Sequence, residues 1–230
     1  MRILSVIPAR GGSKGVPRKN LASVAGKPLI YYTIEAAHRS KLIDRSVVST
    51  EDSEISNVCR NLGAEVVARP IALAGDLSTT REVLLHAVQE LASTGYYPDA
   101  ILTLQPTSPL RTAQHIDEAI RLFSSNKMAD SLVSCIPLPH IYHPLSLMTY
   151  NNDGYLKPFL NLPQPTRRQD KPPLYARNGA AIYITRTDRL KEYIIGGNIL
   201  PYIMDSAASL DVDTTEDLSE ADRILRIPSF

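Results

Sequence analysis

The sequence predicts an α/β protein built on a doubly wound, mostly parallel sheet. Short aliphatic runs alternate with segments of helical periodicity, a pattern typical of parallel strands joined by helical crossovers. The first aliphatic run leads directly into a glycine-rich basic loop. The chain has 230 residues and 43% of them are hydrophobic, so it can bury one substantial core and carry an excursion from it.

Each predicted element has a local reason. The predicted strands are short aliphatic segments, at residues 2–7, 45–50, 64–68, 99–104 and 131–136. The predicted helices have boundary residues that favour helix starts or ends. These residues are Pro28 near the first start, Gly63 after a helix over 54–62, the capping-box pair Thr79 and Glu82, and start residues at Thr112 and near Thr214.

Residues 137–177 depart from this alternation of strands and helices. The segment holds eight of the 17 prolines, and proline disfavours the interiors of helices and sheets. Asn151 to Gly154 predict the turn of a hairpin. We interpret 137–177 as an arm that leaves a core of residues 1–136 and 178–230, packs on a second subunit and helps to cover a site. Apolar side chains such as Ile141 and Phe159 argue against a floppy insertion.

The overall charge and the cysteines limit the class of protein. A net charge of +1 argues against a general nucleic-acid binder or a membrane-surface binder. Cys59 and Cys135 cannot form a disulfide framework, so free thiols in a reducing compartment are expected. The segment before the first loop is shorter than a signal peptide, and no run approaches a membrane span. Cytoplasm is the expected location.

The loop after the first strand has the composition of an oligophosphate site. Glycines at 11, 12 and 15 let the backbone approach phosphate oxygens, and Arg10, Lys14, Arg18 and Lys19 supply cations. The loop fits neither the G-x-x-x-x-G-K-[ST] nor the G-x-G-x-x-G motif. From these residues alone, a solvated surface loop is the alternative.

Two other groups of residues are candidates for binding a metal ion or a ligand. If Asp211 and Asp213 lay on a strand, they would share one face and repel unless a cation such as Mg²⁺ lay between them. The alternative is that Asp213 caps a helix. Gln105, Thr107, Ser108 and Arg111 follow a predicted strand end and suit a polyhydroxylated acidic ligand. Helix capping by Ser108 would explain one hydroxyl of that cluster.

Four blocks of the chain resemble the acylneuraminate cytidylyltransferase family, in that family's order. They span nearly the whole chain, and together they are far more specific than any one of them. The blocks are Ile7 to Asn20 (IPARGGSKGVPRKN), Leu104 to Arg111 (LQPTSPLR), Asn178 to Ile184 (NGAAIYI) and Ser209 to Thr214 (SLDVDT).

The resemblance implies a nucleotide-diphospho-sugar transferase-like fold and a homodimer that binds CTP and an acidic nine-carbon sugar. It implies catalytic roles for Arg10, Lys14, Lys19, Asp211 and Asp213, with the two aspartates holding Mg²⁺. The expected nucleotide site comprises Ala9, Arg10, Gly12, Ser13, Lys14, Lys19, Asn20, Arg69, Thr79 and Thr80. The expected sugar site comprises Gln105, Thr107, Ser108, Arg111, Arg168 of the arm and Asn178.

Two departures from the family pattern bear on the sugar. Ser146 stands where lysine often follows the His-Pro pair, and Ala176 stands where arginine often lies, with Arg177 shifted by one. N-acetylneuraminic acid and a relative such as legionaminic acid are therefore both open as substrates. The alternatives are a 3-deoxy-manno-octulosonate cytidylyltransferase, a glycosyltransferase that uses an Asp-x-Asp pair, and a CTP-binding sensor without catalysis.

Overall fold

The computed structural model describes residues 1–13, 15–163 and 167–227, with Arg168 described by its backbone alone. The strands are β1 (Ile3–Pro8), β2 (Ser23–Val24), β3 (Lys27–Pro28), β4 (Arg45–Thr50), β5 (Glu65–Ala68), β6 (Ala100–Thr103), β7 (Ser131–Pro137), β8 (Met148–Tyr150), β9 (Leu156–Pro158), β10 (Tyr175–Arg177), β11 (Tyr183–Arg186) and β12 (Ile199–Ile203). The helices are α1 (Leu29–Arg39), α2 (Ser53–Asn61), α3 (Thr80–Ala92), α4 (Ala113–Ser125) and α5 (Thr215–Leu225).

One mixed sheet forms the centre of the protein, in the order β10-β7-β11-β6-β1-β4-β5, with β12 also paired to β7. Strands β6, β1, β4 and β5 are mutually parallel. Strand β11 runs antiparallel between β6 and β7. The predicted α/β fold with a mostly parallel sheet is confirmed. The parallel half sends four carboxyl ends to one edge, where open α/β sheets bind ligands.

The five predicted strands and the predicted helices occur within one or two residues of their expected ends. Strand β1 is buried along almost its whole length, as expected for a strand covered on both faces. The helices begin at side-chain caps where the sequence has them. Thr79 and Glu82 form a reciprocal capping box at α3, and Thr112 and Thr214 do the same at α4 and α5.

Neither local arrangement considered for Asp211 and Asp213 occurs. Residues 211–213 are not a strand, and the N–H of Val212 donates to the Thr107 carbonyl, 2.8 Å away. Asp213 is not the cap of α5 either, because Thr214 occupies that position. The Asp-x-Asp segment is therefore an extended loop held against the 105–108 turn.

The arm leaves β7 at Pro137 and returns to the sheet at β10, which pairs with the end of β7. It contains the predicted hairpin, with β8 and β9 antiparallel around Asn151–Gly154. Large apolar side chains stand exposed along it, among them Tyr142, Met148, Tyr150, Tyr155, Leu156 and Phe159. The packing of the arm on a second subunit stays a prediction. Both cysteines are free and buried, and among the described residues no helix is long and apolar enough to span a bilayer.

Candidate active site

Three adjoining clefts open at the carboxyl edge of the parallel strands. The β1-loop cleft is lined by Pro8, Arg10, Gly12, Ser13, Lys19, Asn20, Gln105, Pro106 and Thr107. The β5 cleft shares Pro8, Arg10 and Gln105 with it and adds Arg69, Leu73, Gly75, Asp76, Ser78, Thr80 and Val83. The β11 cleft is lined by Thr80, Gln105, Arg177, Ala180, Tyr183, Ile194 and Ile195. Gln105, at the end of β6, borders all three.

Lys19 joins the basic loop to the carboxylate pair. Its ammonium Nζ donates to the carbonyl of Val212 at 2.7 Å and to Asp213 Oδ1 at 2.9 Å. The Lys19 side chain is only 13% exposed, so the ammonium is held rather than freely solvated. This contact brings the Asp211–Asp213 segment next to Lys19, a residue that lines the β1-loop cleft.

Glycines make room for the Asp211–Asp213 segment on two sides. A Cβ at Gly15 would lie 2.2 Å from the carbonyl oxygen of Asp213, and one at Gly179 would lie 2.5 Å from Asp211 Oδ2. Gly179 also has φ +69°, a conformation that other residues rarely adopt. Gly15 of the first sequence block and Gly179 of the third therefore allow the Asp211–Asp213 segment of the fourth block to pack closely against them.

The carboxylate pair has an environment that suits a cation. Burial raises the pKa of the Asp211 carboxyl, the nearby Thr107 hydroxyl partly offsets this, and the negative charge of Asp213 raises the pKa further. Asp211 Oδ1 and Thr107 Oγ1 are buried without a hydrogen-bond partner among the described residues. Within the same residues no group of three or more His, Cys, Asp or Glu side chains could hold a metal ion. A pair of carboxylates with an unpartnered oxygen fits Mg²⁺, which is commonly held by one or two carboxylates plus phosphates and water.

A buried ion pair supports the glycine loop from below. Glu51 pairs with Arg69, whose side chain is 3% exposed, and accepts a hydrogen bond from the Gly11 N–H at 2.7 Å. Burial opposes ionisation of Glu51, but the bonds from Arg69 and Gly11 outweigh it, so the pKa of this carboxyl is lowered. Neither Glu51 nor its link to Gly11 was predicted from the sequence.

Replacing Glu51 with glutamine is expected to destabilise the fold by about 2 kcal/mol, because Arg69 is left as a buried unpaired charge. The lowered pKa makes this stabilisation fully present above the ordinary value of 4.5, and it is lost as the pH falls through the lower folded value. Urea unfolding at pH 7 and pH 3 measures it. Wild type and E51Q should differ at pH 7 and converge at acid pH; an equal difference at both values would contradict the assignment.

The β5 cleft contains Arg10, Arg69 and Thr80 of the expected nucleotide site. Arg69 and Thr80 line it, whereas Thr79 uses its hydroxyl and N–H in the capping box of α3. Arg10 crosses the cleft to Asp76 at 3.1 Å. Ala9 is buried and its N–H donates to the Ser49 carbonyl at 3.0 Å, so the structure does not place it on the surface of the cleft.

The β11 cleft adds residues that the sequence did not single out as ligands. Arg177, which the sequence flagged only as a shifted arginine, lies there with Tyr183 and two isoleucines. Burial raises the pKa of the Tyr183 hydroxyl, and that hydroxyl donates to the Gly179 carbonyl. The cleft therefore pairs a guanidinium with an apolar wall, which suits an anionic ligand that has a nonpolar substituent.

Three residues predicted to bind the sugar lie inside the protein instead. Ser108 and Arg111 are 1% and 2% exposed, and Arg111 donates to protein oxygens behind the cleft. Asn178 is 5% exposed and bonds Ser134 and Ser209. We correct these predictions: the three side chains support the site, whereas Gln105 and Thr107 line it. Hydroxyl, amide and guanidinium groups in a motif do not by themselves indicate which side of a loop they occupy.

The remaining residues of the expected nucleotide and sugar sites fall into two groups, those that line a cleft and those that lie outside the described residues. Gly12, Ser13 and Asn20 line the β1-loop cleft, and the Asn20 amide also donates to the Arg10 carbonyl at 2.9 Å. Lys14 and the side chain of Arg168 lie outside the described residues, so their expected roles stay predictions. Arg18, one of the cations of the glycine-rich loop, pairs with the carboxylates of Asp52 and Glu54.

The profile of the family described as Cytidylyltransferase matches residues 4–224. The chain belongs to the cytidylyltransferase family. The matched range includes both the basic loop and the carboxylate pair, so Lys19 and Asp213 both lie within it.

Individual relatives agree with this membership. The chain is 34% identical over 220 residues to an N-acylneuraminate cytidylyltransferase of Streptococcus agalactiae serotype V, covering 94% of this chain and 52% of that protein. It is 33% identical to a CMP-N,N'-diacetyllegionaminic acid synthase of Legionella pneumophila, covering 99% and 97%. It thus spans about half the length of the streptococcal relative and nearly all of the Legionella one.

Solved structures show the same fold at lower identity. A CMP:2-keto-3-deoxy-manno-octonic acid synthetase in complex with CTP superposes with a TM-score of 0.75 at 18% identity, covering 98% of both chains. A 4-diphosphocytidyl-2C-methyl-D-erythritol synthase gives a TM-score of 0.68 at 13% identity. These likenesses establish the architecture of the family in this chain.

Proposed function

We propose that this protein is a Mg²⁺-dependent cytidylyltransferase that activates a nonulosonic acid with CTP, giving the CMP-sugar and pyrophosphate. The observation that carries the proposal is the bond from Lys19 to Asp213 beside Gln105. Lys19 lines the β1-loop cleft and contacts the carboxylate segment, so a cation held by the carboxylates would lie next to the basic loop proposed to hold the triphosphate. The names of the full-length relatives support the substrate class.

The reaction follows from what each wall can do. Arg10, Lys19 and the backbone of the glycine loop hold the triphosphate and stabilise the charge that develops on its oxygens. The anomeric hydroxyl of the sugar acid attacks the α-phosphorus, a P–O bond to the sugar forms, and the bond to the β-phosphate bridging oxygen breaks as pyrophosphate leaves. Mg²⁺ held by Asp211 and Asp213 would neutralise phosphate charge. Alignment of the two substrates supplies much of the acceleration.

Arg177 is the proposed partner of the sugar carboxylate. Among the cleft-lining guanidinium groups, those of Arg10 and Arg69 are paired with Asp76 and Glu51, while Arg177 faces the β11 cleft beside Tyr183. Ile194 and Ile195 of the same cleft would contact the acyl substituent. This arrangement gives an alternative source for the positive charge that the family pattern would place at position 176.

Replacing Arg177 with methionine is therefore expected to raise the KM for the sugar by about 10- to 100-fold, since a charge-assisted bond contributes about 1.5–3 kcal/mol. The KM for CTP should change less than threefold. Steady-state kinetics with each substrate varied in turn measures both. Arg121→Met is the matched control, because Arg121 is exposed on α4; equal effects of the two substitutions would contradict the role of Arg177.

We also propose that the active form is a cytoplasmic homodimer joined through the arm. Tyrosine, methionine, leucine and phenylalanine side chains are exposed on this one excursion from the core, and a large exposed apolar patch commonly marks an interaction surface. Sedimentation equilibrium at micromolar protein tests the assembly. A mass of two chains is expected; a single-chain mass with full activity would contradict it.

The proposed activity is tested by pyrophosphate release from CTP and Mg²⁺ with a panel of N-acetylneuraminic, legionaminic, pseudaminic and 3-deoxy-manno-octulosonic acids. Release with one nine-carbon acid is expected. Release only with the eight-carbon acid would favour the sibling cytidylyltransferase. Tight CTP binding without release on any acid would favour a nucleotide sensor.

A further inference from the structure

A buried arginine lies directly behind the wall shared by the three clefts. Arg111 is 2% exposed, and its guanidinium donates to the carbonyls of Gln105 at 3.2 Å and Ala181 at 2.9 Å. It also donates to Thr33 Oγ1 at 2.6 Å. Its three acceptors come from α1, from the turn after β6 and from the segment before β11, which are far apart in sequence. Gln105 is the residue that borders every cleft.

Arg111 has no counter-charge among the described residues. Its guanidinium bonds two carbonyls and one hydroxyl there and no carboxylate, and its Nε is buried without a partner in the same part of the chain. Burial lowers the pKa of this guanidinium to about 9. A buried cation without a counter-charge is costly, and neutral donors could bind the same three oxygens at lower cost. A role in packing alone therefore does not explain why a cation occupies this position.

We propose that Arg111 is a positioning residue for nucleotidyl transfer: its guanidinium fixes the Gln105 turn and the Ala180–Ala181 segment, and its positive charge keeps the shared wall favourable for anionic substrates. The inference rests on the proposed function. It assigns to Arg111 an effect on the reaction through Gln105 and Ala181, without contact with either substrate. Small displacements of such a wall can reduce turnover by about 100-fold.

The test compares Arg111→Met and Arg111→Lys with a matched control. Arg186 also donates to backbone carbonyls, those of Ala129 and Lys127, but lies at the opposite end of β11. Each variant is assayed for thermal stability and for kcat and KM at a temperature where it is folded. R111M should lose about 100-fold in kcat, R111K should recover to within about tenfold of wild type, and R186M should lose stability with kcat within twofold.

The outcomes separate this proposal from the proposed function. If the wild-type protein showed no turnover, the proposed function itself would be contradicted. An active wild type whose folded R111M variant keeps kcat within twofold would overturn the positioning role alone, as would an equal loss of kcat in R186M. If R111M does not fold, R111K carries the test: a fall of about three- to tenfold in kcat is expected, and a kcat within twofold of wild type overturns the proposal.

Discussion

Replacing Asp213 with alanine is expected to reduce pyrophosphate release by about 1,000-fold while unfolding stays cooperative. The Asp213 side chain is 73% exposed, so its removal costs little packing, but the cleft loses half of its carboxylate pair. Turnover is measured at saturating CTP and Mg²⁺. As a second readout, Mg²⁺ should raise the melting temperature of the CTP-bound wild type and leave that of D213A unchanged.

Glu216→Gln is the matched control for this experiment. Glu216 lies in the first turn of α5, three residues from Asp213, and it is exposed. Its neutralisation changes the local charge by the same amount without touching the cleft, so activity within twofold of wild type is expected. Near-normal turnover of D213A with Mg²⁺ would show that the pair does not hold the metal.

Replacing Lys19 with methionine is expected to lower kcat by about 100- to 1,000-fold, the range for removing one preorganised group that stabilises developing charge. Lys19 is held by Asp213 and the Val212 carbonyl, so the substitution also loosens the carboxylate segment from the glycine loop. Initial rates of pyrophosphate release measure the loss.

Lys27→Met provides the comparison for Lys19. Lys27 is exposed in the β2–β3 hairpin and lies over the Tyr31 ring, outside the residues that line the clefts. K27M should retain wild-type kinetics. If K19M retained kcat within threefold, Lys19 would be only a structural link between the two ends of the chain.

The parallel half of the fold was predictable because its strands are buried on both faces and read as continuous aliphatic runs. Strands β11 and β12 were missed because Tyr183–Arg186 and Ile199–Ile203 mix apolar and polar or proline residues. Their pairing with β6 and β7 is fixed by long-range packing. The capping boxes were predictable because they depend on residues three apart.

The candidate site was predictable as a set of neighbouring blocks but not as a geometry. The sequence put Gln105, Thr107, Ser108 and Arg111 in one cluster, yet the turn after β6 exposes the first two to the cleft and buries the others. Glu51 belongs to no motif that the sequence analysis singled out. Its role depends on contacts with Gly11 and Arg69, which the fold brings together at the edge of the sheet. Which side chains of an extended loop face the cleft depends on the segments that pack against the loop, and those segments cannot be identified from the local sequence.

The central claim is that the α-phosphorus of CTP is transferred to a sugar acid. The most direct measurement follows CTP labelled separately at the α- and γ-phosphates, with Mg²⁺ and the accepted nonulosonic acid. The account predicts that the α-label appears in the CMP-sugar and the γ-label in pyrophosphate, in equal amounts. Release of the γ-label as orthophosphate, or of the α-label as free CMP or CDP without a sugar product, would contradict it.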